Sequence, residues 1–202
     1  MNGRYLLVLL AATVFATTFS IGGFPPLLPE LGASAQLSDR ELGMVASAFG
    51  FARMVVAIPV GMLIARYLRA LLLLGPVVLA VGIVMLSLAR SLETMLLARM
   101  IMGVGHSATM ISGLTAVLRY HAGGRLGAAL NVIEFLAMIG MLGGVTLLAA
   151  LPTTLGWNWA LLVVCSPLLL GVALAPLVAA AVRARSCRSS RGPRPAGRRR
   201  AR

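Results

Sequence analysis

Six long apolar stretches occupy the first 182 residues of this chain, and arginines mark every second gap between them. A helix needs about 20 apolar residues to cross a hydrocarbon core about 30 Å thick. The stretches near 5–24, 42–65, 71–89, 94–117, 127–150 and 158–181 meet that length. Inside a bilayer every backbone N–H and C=O must be paired within the protein, which a helix achieves within its own segment. The pattern therefore predicts an all-α, polytopic domain of six transmembrane helices over residues 1–182, followed by a separate segment over 183–202.

The charges orient that domain. Arg4 precedes the first span, Arg66 and Arg69 separate the second from the third, Arg119 and Arg125 separate the fourth from the fifth, and nine arginines follow the sixth. The alternate connections carry Glu30, Asp39, Arg40 and Glu41, then Arg90 and Glu93, then no charge at all. The positive-inside rule places both termini in the cytoplasm of a protein of the plasma membrane. An even number of spans requires the same, so charge and span count agree.

The formal net charge of +13 does not indicate nucleic acid, because half of the basic residues sit in the last twenty positions and most others at span ends. Cys165 falls inside a span and Cys187 in the basic segment, so no disulfide framework is expected. The single arginine and the length of the first apolar run favour a retained helix over a cleaved signal. Enzyme classes fit poorly. The two histidines, His106 and His121, both belong to the fourth span or its end, which leaves a facing serine without a base. No cluster of metal ligands or paired intramembrane carboxylates occurs, so neither metal nor cofactor is expected.

Between the first two spans, Pro25, Pro26 and Pro29 are expected to end a helix, and Ser38 with Glu41 three residues later reads as a capping box opening the next. Small residues at Ala46 and Gly50, at Gly103, and at Gly140 and Gly144 suit close helix approach. After Val182 the composition turns to arginine, proline, glycine and serine, which predicts disorder, with the arginines either solvated or held on anionic lipid.

Three patches resemble one family. Gly61, Leu63, Arg66 and Arg69 fit a cytoplasmic loop signature of the major facilitator superfamily, Gly-x-Leu-Ala-Asp-Arg-x-Gly-Arg, with Ala65 in place of the acid and Leu68 in place of the second glycine. Arg99, Gly103 and Gly105 resemble the Arg-x-x-x-Gly-x-Gly motif of its fourth helix, and Gly156-Trp157-Asn158-Trp159-Ala160 is similar to the start of its sixth. The glycine-proline pair of the antiporter branch is replaced by Gly143-Gly144-Val145. The resemblance implies one six-helix half of a twelve-helix transporter, built as an inverted pair of three-helix units. It assigns Gly61, Arg66 and Arg69 to a conformational loop and Gly103, Gly105, Gly140 and Gly144 to helix packing. Ala65 lacks the carboxylate of the family's cytoplasmic latch.

Ionisable side chains deep in a bilayer usually face a bundle interior or an aqueous cavity. Arg53 lies about 12 Å into its span by the helical rise, too deep for easy snorkelling. Arg99 is shallower and shares a helix face with Gly103 and His106. Glu134 is the one acid in the fifth span, with Asn131 three positions earlier on the same face. Two roles fit Glu134: proton exchange, or a fixed pair with Arg53 or Arg99. His106 suits either a packed helix histidine or a proton carrier. The leading expectation is a half-unit that moves a small solute, with or without a proton, by alternating access, with Arg53, Arg99, Asn131 and Glu134 lining the cavity and His106 a candidate on the same pathway. It would work as a homo-oligomer or beside a separate six-helix half, in the lipid bilayer. The composition change at residue 183 leaves open a truncated, non-transporting remnant, and an accessory membrane subunit is a third reading.

Overall fold

In a computed structural model the described residues are 3–120, 126–151 and 154–190, with side-chain surroundings described for 5–120, 126–151 and 154–184. These residues form seven helices: α1 (Gly3–Gly22), α2 (Phe24–Ala35), α3 (Asp39–Leu88), α4 (Leu92–Tyr120), α5 (Leu126–Ala150), α6 (Trp157–Cys165) and α7 (Leu168–Ser190). Five stretches are long and apolar enough to cross a membrane, with α1–α2 and α6–α7 each counting as one.

The middle of the molecule is α1, whose inward hydroxyls find acceptors on its own preceding turns. Thr13 donates to the Leu9 carbonyl at 2.9 Å, Thr17 to Val14 at 2.8 Å and Ser20 to Ala16 at 2.9 Å. Back-bonding of this kind lets a polar residue be buried without an outside partner. The prolines act differently from expectation. Pro25 and Pro26 fall in the first turn of α2, where a helix's N–H groups have no partner to lose, and Pro29 lies inside that helix. α2 stops where Gln36 takes the left-handed conformation at φ 52° and Leu37 N–H bonds to the Gly32 carbonyl.

The capping box forms as expected: the Ser38 hydroxyl accepts from Glu41 N–H, and the Glu41 carboxylate accepts from Ser38 N–H at 2.8 Å. It opens a helix of 50 residues, about 75 Å if straight at 1.5 Å per residue. It is not straight. Tyr67 leaves the helical region at φ −117°, ψ 24°, and the chain doubles back there. A β-carbon on Gly103 of α4 would meet Phe49 and Ala52, whereas one on Gly82 would meet Ala98 and Met102. Residues from both sides of Tyr67 thus lie beside the same turns of α4. Val45 and Phe49 advance alongside Arg99 and Gly103, so the first arm (39–66) runs parallel to α4. Gly82 and Gly75 sit beside Ala98 and Gly105, so the second arm (68–88) runs antiparallel. The connection expected between two separate spans is a single residue.

α5 runs parallel to α1. Gly140 faces the Phe15 carbonyl and Thr18, and Gly144 faces the Phe19 carbonyl and Gly23. Gly22 of α1 answers against the Met141 backbone. Cys165 and Gly171, flanking the break at Ser166 and Pro167, oppose Ser20 and Ala16, so α6 and α7 return antiparallel to α1. α7 continues to Ser190. His121, Gly123, Gly124, Arg125 and residues 191–202 lie outside the described residues.

Candidate functional site

The ionisable residues singled out in the sequence fall into two places. The first is built around Phe49 on the first arm of α3. Gly103 lets α4 approach that arm closely, since a β-carbon there would lie 2.6 Å from the Phe49 carbonyl and 2.9 Å from Ala52. One turn earlier on α4, Arg99 crosses the contact and donates from Nε to the Val45 carbonyl at 3.3 Å. Its guanidinium stacks 3.6 Å from the Phe24 ring centroid and 4.8 Å from that of Phe49. Arg99 is only 4% exposed, so it does not snorkel, and its Nη1 has no hydrogen-bond partner among the described residues. Two aromatic faces supply the negative potential that a carboxylate would otherwise give.

His106 lies on the same face of α4, buried, with its ring 5.6 Å from Phe49 and its Nδ1 unpaired among the described residues. Arg53 approaches Phe49 as well, at 5.6 Å, but is exposed. Arg99, His106 and Arg53 are thus brought to one ring, with Gly103 as the spacer. Phe24 and Phe49 escaped the sequence reading; the signal that could have found them is that a deeply buried arginine without a nearby acid needs π faces.

The second place is the outer face of α5, where Asn131 and Glu134 are both exposed. Among the described residues no ion pair joins Glu134 to Arg53 or Arg99, so the expected Glu-Arg contact is not formed in this structure. Inward residues of α5, among them Ile133, Ala137, Gly140 and Gly144, pack on the bundle instead. The glycines divide in the same way: Gly103, Gly105, Gly140 and Gly144 face neighbouring backbone, whereas Gly61 and Gly50 face open space. Gly61, Arg66 and Arg69 flank the reversal at Tyr67, Gly61 on the first arm and Arg69 at the start of the second.

A wide recess of about 850 Å³ lies elsewhere, among Val77, Val81, Leu88, Leu169 and Val172. Its walls are mainly apolar side chains on membrane-length helices, with Arg90, Ser91 and Thr94 at one end. Among the described residues no group of histidines, cysteines and acids could hold a metal ion.

Long apolar helices packed side by side describe a multi-pass membrane protein. A family model described as Major Facilitator Superfamily matches residues 10–201. The chain belongs to the major facilitator superfamily. No curated protein matches it.

Proposed function

We propose that the chain crosses the bilayer six times, with both termini in the cytoplasm of a plasma membrane, and forms one half of a transporter that moves a small solute by alternating access. The observation that carries this reading is the placement of Arg53, Asn131 and Glu134 on open faces within membrane-length helices. Charged side chains facing lipid there are disfavoured by about 2.5–3.5 kcal/mol each on insertion scales. An aqueous cavity shared with a second bundle removes that penalty. The second bundle is a further six-helix unit, on the same polypeptide or on another.

In this reading Arg53, Asn131 and Glu134 line the solute path. Arg99 and His106 form the packed wall behind Arg53, and Glu134 carries the proton where one is coupled. The abrupt change to an arginine-rich composition after Val182 favours a second reading, a membrane protein of this family that does not transport. Reconstitution in liposomes separates the two. Solute flux that Glu134→Gln abolishes or makes independent of pH, with insertion unchanged, supports the transporter. Absence of flux for every solute class, alone and with a second bundle, overturns it.

A further inference from the structure

We propose that the reversal of α3 holds one phospholipid with an anionic headgroup, its phosphate beside Arg66 and Arg119 and an acyl chain along the adjoining groove between α3 and α7. A recess of about 430 Å³ opens where the reversal meets the end of α4, lined by Ala65, Arg66, Arg69, Arg119 and Tyr120. Arg66 and Arg119 are exposed, and Arg66 rests on the Tyr67 ring at 5.5 Å, which presents its guanidinium beside the reversal. Among the described residues no acid belongs to the lining. Ala65 stands where the family signature has its acid, and the recess gathers arginines from two helices.

A second recess, about 520 Å³, shares Arg69 with the first and continues along Leu73, Pro176, Ala179 and Ala180 to Arg183. Its walls are mainly apolar, and its residues belong to helices long and apolar enough to lie in a bilayer. A cationic recess continuous with an apolar groove has the two-part chemistry of a phospholipid. A free phosphate or a soluble anion would use the first part only. Basic recesses between membrane helices are known to take lipid headgroups, and an arginine fork suits phosphate oxygens. The inference requires membrane insertion and is independent of any transported solute.

The test uses the full chain purified in neutral detergent. Native mass spectrometry follows retained lipid after exchange into mixed vesicles of phosphatidylglycerol and phosphatidylcholine. Preferential retention of one phosphatidylglycerol is expected, weakened about fivefold for Arg66→Gln or Arg119→Gln and about thirtyfold for the pair. Arg66→Lys with Arg119→Lys should restore much of it, and Arg90→Gln, outside both recesses, should leave it unchanged. Ala180→Trp, which fills the groove, should lower lipid retention while sparing competition by inorganic phosphate. Equal retention of both lipids, or retention that the paired glutamine variant leaves intact, overturns the proposal. So does a site that binds inorganic phosphate with Ala180→Trp having no effect on lipid, since that outcome assigns the recess to a free anion.

Discussion

The guanidinium carbon of Arg99 lies over the Phe24 ring, 3.6 Å from its centroid, across 75 residues of sequence, and it thereby ties α2 to α4. A desolvated cation–π contact contributes about 2 kcal/mol or more. Phe24→Leu is therefore expected to lower the unfolding free energy in detergent by about 2 kcal/mol. A double-mutant cycle with Arg99→Met should return a coupling of at least about 1 kcal/mol. Additive losses would show that the two residues do not support one another.

The glycines separate into two classes that substitution should distinguish. Gly144 faces the Phe19 carbonyl and Gly23, so Gly144→Leu should force α1 and α5 apart at a cost of about 1–3 kcal/mol. Gly50 has open space beside it, so Gly50→Ala should stabilise the isolated chain by up to about 1 kcal/mol through helix propensity. Chemical denaturation in micelles reads both. Equal and opposite results, with Gly144→Leu neutral and Gly50→Ala destabilising, would reverse the assignment of faces.

The reversal at Tyr67 makes a topological prediction. Gln36 and Arg90 flank the two ends of α3 and should lie on one side of the membrane, with Tyr67 on the other. Single cysteines at these three positions, in a background with Cys165 and Cys187 replaced, should react with an impermeant maleimide accordingly. Labelling of position 67 from the same side as position 36 would mean that α3 does not fold back across the bilayer.

The capping box of α3 should weaken in acid. Hydrogen bonds from the Ser38 hydroxyl and N–H hold the Glu41 carboxyl below its ordinary range. A depressed folded-state pKa means that the cap contributes above the unfolded value and is lost as pH falls through the folded one. Amide exchange over Arg40 to Gly43, corrected for intrinsic rates, should accelerate in acid for the natural chain. It should be flat and fast for Glu41→Gln. Identical profiles for the two would remove the carboxylate from the cap.

Much of this architecture was legible because it is local. Ser38 and Glu41 are three residues apart, and their box forms as read. Arg99, Gly103 and His106 recur at helical spacing on one face, and that face does bury. The prolines misled because their sequence alone does not say whether they follow one helix or begin another; Gly23 as the N-cap of α2 decides it. Phe24 as the partner of Arg99 depends on how α2 docks, which no local pattern encodes. Glu134 was expected to seek an arginine because acids are scarce, but the glycines of α5 turn its opposite face toward α1 and leave Glu134 outward.

Tyr67 also bears on how the chain assembles. A hairpin joined through one non-helical residue has no slack, and its two arms and the following α4 are neighbours in sequence as well as in space. Contacts between close neighbours close small loops and form early. As the chain emerges from the ribosome, α3 and α4 can therefore consolidate before α5 appears. α1, made first, must wait for α5 and α7 to cover it. Errors in assembly should then arise at the oldest helix, whose partners are synthesised last.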